Sequence, residues 1–384
     1  MNEGATAGGN TFFRRYLLPA LALKGVIIGG GYATGRELAE YFLSQGPIGA
    51  LLAMAVATVM WSIVAALTFA LAFHLKAFDY RAFIEKLLGQ AAVLFEFCFI
   101  AFCTLLLAVF GAAAGEVVAS LFPVGGWVGT VLLAIAIALV AGAGETAVET
   151  MFKVVSGFLY AVYALFLVLA LTRFGSPIGE TLAAGGISPE WPVSGITYGI
   201  YNIVAAVMIL PLLTHFTSRR NAAVAGVIAG PMAMLPALAF LIAMTAFYPD
   251  ILGATLPSDY ILQRLDSPAF RFVFQIMVLG ALLESGVGVI HALNERALHL
   301  YTKRHPGKAA PRWLRPGLTV GALAGCMFAA SSIGLVDLIA SGYRLMALVF
   351  LFTFVIPLLT VGILRLRRPA IDSGVSPRTD TAHA

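Results

Sequence analysis

Residues 21–42, LALKGVIIGGGYATGRELAEYF, set three consecutive glycines, Gly29, Gly30 and Gly31, in the middle of an apolar helical run, with Arg36 close behind. Each glycine inside a helix costs about 1 kcal/mol relative to alanine. Small residues can also serve close helix packing in lipid, so the triplet alone does not decide between packing and a functional break. A second stretch, SGITYGIYNIVAAVMILPLL at 194–213, has Gly199 between Tyr198 and Tyr201, followed by Asn202. The two stretches open corresponding halves of the chain, 16–173 and 194–368. Each half holds five apolar spans, an odd number, so the second half enters the bilayer from the opposite side. Broken helices at matching places of inverted repeats point to a transporter binding site.

The rest of the chain agrees that lipid is the solvent. Of its 384 residues, 60% are hydrophobic and 11% charged, where soluble domains carry about 25% charged residues. Mean hydropathy is +0.93. A helix crosses a bilayer with about 20 apolar residues. Ten such spans are readable: 16–44, 47–75, 90–121, 126–143, 149–173, 194–217, 221–248, 269–298, 314–335 and 338–364. The connection 76–89 reads as a short surface helix and 174–193 as an extracellular link. Residues 1–15 and 369–384 read as cytoplasmic tails, the latter polar and disordered. The first span lacks a following small-residue cleavage site and soluble domain, so it is not a removable signal.

With both termini cytoplasmic, 18 of the 24 lysines and arginines fall on the inner side of the membrane. That asymmetry orients the chain in a bacterial inner membrane and explains the net charge of +5 without a nucleic-acid partner. Cys98, Cys103 and Cys326 lie in apolar runs without metal-type spacing, so no metal or cofactor is expected.

Unwound backbone must face protein, water or ligand, because lipid cannot satisfy it. The half-helix expected to begin near Ala33 or Thr34 favours an anionic group such as a substrate carboxylate. The carbonyls near Ile28 and Gly29 suit a cation. The expected substrate site is therefore Gly29, Gly30, Gly31, Tyr32, Ala33 and Thr34 against Tyr198, Gly199, Tyr201 and Asn202.

Ionisable residues inside the membrane are functional candidates by default. Glu284, beside Ser285 in LLESGVGVIHAL, reads as a cation or proton site, or as a structural carboxylate paired with Lys24. Glu116, among the small residues of GAAAGE, is a pathway candidate, and Glu96 marks the other end of that span. Lys153 sits a turn inside the fifth span and reads mainly as snorkelling to the interface. Arg36 and Asp337 share the outer side and suggest an outer gate, although Arg36 also has Glu40 four residues along as a local partner. Arg14 or Arg15 with Glu295 suggests the inner gate.

The run GVIIGGGYATGRELAEYF, with Tyr201 and Asn202 and the ten-span layout, resembles the YkvI-type family of bacterial membrane proteins. That family belongs to the amino acid–polyamine–organocation superfamily, with the leucine-transporter (LeuT) fold. The resemblance implies alternating access around a central site, between a bundle of helices 1, 2, 6 and 7 and a scaffold. It also implies that the inner half of helix 8 faces the first break and lines a sodium site, which would be Glu284, Ser285 and the Ile28 carbonyl. In some proton-coupled relatives a lysine on helix 5 replaces that sodium, which would give Lys153 a second reading.

The expected function is secondary transport of a small organic solute, amino acid or amine-like, coupled to sodium or protons. A proton-driven exporter of a cationic compound and a passive channel are the alternatives. An intramembrane enzyme is disfavoured: there is no HExxH, and Ser285 and His291 are six apart on one segment, a poor helical match.

Overall fold

The computed structural model describes residues 12–143, 145–305, 310–311 and 313–368. The polar tail 369–384 and most of the N-terminal tail lie outside the described residues. Those described contain helices and turns and no strand.

The first apolar run is divided into α1 (Leu18–Ile27), α2 (Gly30–Thr34) and α3 (Arg36–Tyr41). It leads into α4 (Pro47–Leu75), the short surface helix α5 (Tyr80–Leu88), α6 (Ala92–Leu121), α7 (Gly126–Gly142) and α8 (Glu145–Ala184). The second half begins with α9 (Trp191–Ile203) and α10 (Ala205–Met208), which form one broken span with a 3-10 turn at Leu210–Leu213. It continues through α11 (Arg219–Thr245), a short helix α12 (Pro257–Arg264), α13 (Pro268–Arg304), α14 (Leu314–Ile333) and α15 (Leu335–Arg367), the last interrupted by π turns. Ten apolar spans are thus present among the described residues, close to the boundaries read from hydropathy. The link after the fifth span differs: α8 kinks at Phe174 and stays helical to Ala184, so only a short turn separates it from α9.

Small residues decide how the bundle closes. In lipid there is no hydrophobic drive between helices, so tight van der Waals contact holds them. Gly226 and Gly230 of α11, a GxxxG pair, lie on α4, where a β-carbon on either would strike Ala66 or Ser62. The Ser62 hydroxyl donates to the Val227 carbonyl at 3.1 Å across that seam. Gly195 of α9 lies against the Ala53 backbone of α4 in the same manner. These contacts join α1, α4, α9 and α11 into one bundle. A scaffold forms from α6, α7, α8, α13 and α14; there Gly129 of α7 presses on Ala114 of α6, and Thr130 donates to the Gly111 carbonyl at 2.8 Å. At the start of α5, Asp79 accepts the amides of Arg81 and Ala82 at 3.0 Å, an N-cap that holds this amphipathic helix beside the bundle.

Candidate functional site

The first span breaks twice, and the two breaks differ. α1 ends at Ile28 (φ −72°, ψ 81°), and Gly29 is extended before α2 begins at Gly30. The second half-helix therefore starts at the glycine triplet, three or four residues earlier than the sequence suggested. The amides of Ile28 and Gly29 are already given to the carbonyls of Lys24 and Ile27, at 2.9 and 2.8 Å. The second break is Gly35, held left-handed at φ +79°, where a β-carbon would lie 2.6 Å from Phe240. Backbone conformation and crowding both require glycine there. Thr34 stabilises this corner by donating to the Gly31 carbonyl at 3.1 Å.

The turn at Gly35 redirects α3 so that Glu37 folds back over the first break. Its Oε2 accepts the Tyr201 hydroxyl at 2.8 Å, and a β-carbon on Gly31 would overlap its carboxylate. Glu37 is 4% exposed. An acid this deep costs several kcal/mol unless hydrogen-bonded or neutralised, so the Tyr201 contact is part of what permits it.

Beside Glu37 lies a cavity of about 150 Å³ between α1, α6, the α9–α10 span, α13 and α15. Phe102, Leu106 and Phe110 of α6 and Tyr343 of α15 supply its apolar walls. Gly29, Tyr201, Asn202, Glu284 and Ser285 supply the polar positions, together with Glu37. Among the described lining residues none is lysine, arginine or histidine.

The cavity is closed toward one membrane face, here called the Arg36 face. Residues 31–39 are all buried, as are Tyr41, Phe42 and Leu43. Tyr41, Phe42, Tyr198 and Trp61 form an aromatic plug, with Phe42 and Tyr198 ring centroids 4.5 Å apart. Trp61 donates to the Gly199 carbonyl at 3.1 Å, and Tyr41 to the Ile339 carbonyl at 2.8 Å, so the plug is tied to both α9 and α15. Toward the opposite, Arg296 face, Gly25 and Val26 are exposed and Asn202, Met208 and Gly288 half-buried. Met208 also lines a larger cavity of about 890 Å³ that contains Tyr80, His291 and Arg296.

Several sequence expectations change. Tyr198, Gly199, Tyr201 and Asn202 are not unwound: α9 runs unbroken to Ile203, and the irregularity comes later, at Val204 and Ile209. Tyr201 and Asn202 line the cavity, whereas Gly199 faces α4, where a β-carbon would meet the Met60 sulfur. Tyr32, Ala33 and Thr34 are buried away from the cavity; the hydroxyls of Tyr32 and Tyr198 have no hydrogen-bond partner among the described residues. Ile28 is buried at the C-cap of α1. Glu284 and Ser285 line the cavity, and the Lys24 ammonium lies 3.5 Å from the Tyr160 ring centroid.

The outer gate is also different. Arg36 pairs with Glu40 at 2.7 Å and donates to the carbonyls of Leu252 and Ala254 at 2.9 and 3.0 Å. Asp337 is exposed and takes no part. Glu116 is exposed on this face, next to Asp259 and Ser120, outside the central cavity. On the opposite face Arg296 makes an ion pair with Glu96, while Arg15 is half-buried in a π turn. The side chains of Arg14, Lys153 and Glu295 lie outside the described residues.

Sequence reasoning passed over Glu37, Phe110 and Tyr343. Glu37 was detectable, as a carboxylate inside an apolar span one position from Arg36. The two aromatic residues carried no distinguishing signal among 27 phenylalanines and 12 tyrosines.

No family model and no curated protein matches the sequence. Solved structures do. A Na+-coupled sialic acid symporter in a substrate-bound outward-open state aligns with TM-score 0.63 at 15% identity, over 89% of this chain and 78% of its own. The Eremococcus coleocola manganese transporter, in a mutant form, aligns with TM-score 0.56 at 14% identity, over 92% and 84%. MhsT in complex with L-phenylalanine aligns with TM-score 0.52 at 16% identity, over 91% and 96%. At these identities the likeness is one of fold: the chain has the ten-helix LeuT architecture.

Proposed function

We propose that this protein is a secondary active transporter that moves a small organic solute by alternating access, coupled to sodium or protons. The observation that carries the reading is a mainly apolar cavity with Glu37, Tyr201, Asn202, Glu284 and Ser285 on its wall, beside paired helix breaks, closed by an aromatic plug to one face and with exposed lining residues toward the other. A solute bound there reaches one side of the membrane at a time. The similar structures support it, since their own names describe a Na+-coupled symporter and a manganese transporter.

On this reading Tyr201, Asn202, Gly29 and Glu37 bind solute, and Glu284 with Ser285 holds the coupling ion. The Arg296 face is cytoplasmic in a bacterial inner membrane, in keeping with the excess of basic residues on that side. The two five-helix halves, 16–173 and 194–368, move as the inverted repeats of a YkvI-type transporter.

The test is a thermal-shift screen of the purified protein against amino acids, amines, nucleobases and metal ions, with and without sodium. Hits are then carried into proteoliposomes under imposed sodium or proton gradients. Ligand at a hundred times its dissociation constant adds about 2.7 kcal/mol of stability. Uphill uptake that follows one gradient and is lost in Glu284→Gln supports the reading. Flux that only ever runs down the solute's own gradient, whichever ion gradient is imposed, overturns it in favour of a channel.

A further inference from the structure

We infer that the solute is an organic cation, a protonated amine on an apolar body with no carboxylate of its own, whose charge is met by Glu37. This rests on the transporter reading above and narrows it to a substrate class.

Charge gives the first argument. The central cavity is lined by two acids, Glu37 and Glu284, and by no basic residue among those described. A carboxylate entering this low-dielectric space would meet Glu37 with no lysine, arginine or histidine among the described lining residues.

The second argument is occupancy. The amides of Ile28 and Gly29, at the end of α1, are given to carbonyls of α1 and so are not offered to an anion. Gly31, the second residue of α2, is faced by the protein's own carboxylate, because a β-carbon there would overlap Glu37. Glu37 thus brings a carboxylate to the first break, which favours an amine there and disfavours a second acid group.

Shape supplies the third. A cavity of about 150 Å³ lined by apolar side chains is the size that holds a benzene-sized body. Phe102, Phe110, Tyr201 and Tyr343 put four aromatic rings on its wall, a composition that suits such a body or an ammonium group. A bare metal ion fits less well, since no cluster of three or more histidine, cysteine or acidic groups arises among the described residues.

The Tyr201 hydroxyl satisfies Glu37 in the structure, at 2.8 Å. An ammonium group can share the carboxylate with Tyr201, because an ionised carboxyl group accepts at both oxygens.

The experiment measures binding of phenethylamine, 2-phenylethanol, phenylalanine, phenylacetate and Mn²⁺ to the full-length protein, by thermal shift and calorimetry. A graded series of alkyl amines extends the panel. Phenethylamine or another amine of the series binds at least tenfold more tightly than the neutral, zwitterionic and anionic probes. Glu37→Gln loses that preference at least tenfold, and Glu37→Asp, which keeps the charge, retains part of it. The Asp variant and a melting curve separate loss of binding from loss of fold.

Equal or tighter binding of phenylalanine, phenylacetate or Mn²⁺ overturns the inference. So does failure of every amine to bind, or amine affinity within twofold of the parent in folded Glu37→Gln. The two readings fail separately. Gradient-driven uptake of phenylalanine would end the amine assignment and leave the transporter. Amine binding through Glu37 without gradient-driven movement would do the reverse.

Discussion

The Tyr201 hydroxyl donates to Glu37 Oε2 at 2.8 Å, tying the first broken span to the sixth at the cavity wall. Both residues are almost wholly buried, so neither group has water as an alternative partner. Removing one partner strands the other, which costs about 1–3 kcal/mol, more where the stranded group is charged. Tyr201→Phe is therefore expected to lower the melting temperature clearly. Glu37→Gln, still an acceptor, costs less. In a double-mutant cycle the two changes are sub-additive, because each removes the same bond. Strict additivity of the melting shifts would show that the hydroxyl and carboxylate do not act together.

Gly31 and Gly25 offer a controlled comparison on the same broken span. A β-carbon on Gly31 overlaps the Glu37 carboxylate, whereas nothing lies within 4 Å of one on Gly25. A flexible acid could normally swing aside, but here that movement breaks the Tyr201 bond. Gly31→Ala is expected to reduce solute binding at least tenfold. Gly25→Ala, at the cavity wall but clear of Glu37, is expected to reduce binding less than Gly31→Ala and to stabilise α1 by about 1 kcal/mol at most. Isothermal titration of both variants with the same ligand checks this. Equal affinities would mean that Glu37 position is irrelevant to the site.

What the sequence could and could not reveal follows from geometry at this same place. Hydropathy and length mark spans such as 47–75 and 314–335 because each must cover the bilayer, whatever its neighbours are. Glycine-rich breaks are visible because they contradict an otherwise helical run. Glu37 is another matter. It stands six positions after Gly31, about 240° around a continuous helix, and so points away from it. Only the left-handed turn at Gly35 brings the two together, and a φ of +79° is not written in the residue type. The opposite error occurred at Tyr198–Asn202, where tyrosines flanking a glycine suggested unwinding. There the glycine admits the Met60 side chain within an intact helix. Arg36 illustrates a third limit: its charge suggested Asp337 or the local Glu40, and it pairs with Glu40 at 2.7 Å, but no charge pattern reveals its bonds to the carbonyls of Leu252 and Ala254.

Those carbonyls make Arg36 the latch of the closed face. It links α3 in the bundle to the segment between α11 and α12, while Glu40 holds the guanidinium in place. Arg36→Ala unties that segment and leaves Glu40 unpaired. A cysteine introduced at Thr34, which is fully buried, reports the consequence in a variant lacking the three native cysteines. Thr34→Cys alone should resist a membrane-impermeant maleimide applied to the Arg36 face, and become reactive when Arg36→Ala is added. Unchanged protection would remove Arg36 from the latch.

Asp259, on the same side, is a stability residue of a different kind. It is 4% exposed, accepts Arg271 through both oxygens at 2.7 and 2.9 Å, and takes a third bond from Gln275 at 2.8 Å. Breaking a buried pair costs about 3–5 kcal/mol, and the part-exposed arginine places this one toward the lower end. Asp259→Asn is expected to lower thermal stability by that order. Arg271→Lys does so too, since a single ammonium cannot reproduce the two-pronged contact. A melting temperature within about 1 °C of the parent for both variants, less than a 1 kcal/mol change would produce, would rule the network out as a clamp on α12.

The Arg296–Glu96 pair stands in contrast to Arg36, although both join distant parts of the chain. Arg296 lies on α13 and Glu96 on α6, two helices of the scaffold, and the guanidinium also stacks 3.9 Å from the Tyr80 ring centroid. Because α6 and α13 pack on each other directly, the pair ties parts of one body. It is therefore a staple and not a gate, even though it borders the open cavity. Glu96→Gln should cost about 1–3 kcal/mol of stability through the lost charged hydrogen bonds. It should leave maleimide labelling at Thr34→Cys, and the direction from which the site is reached, as in the parent. If Glu96→Gln instead switched labelling on as Arg36→Ala does, α6 and α13 would have to separate during transport, and the division into bundle and scaffold would need to be redrawn.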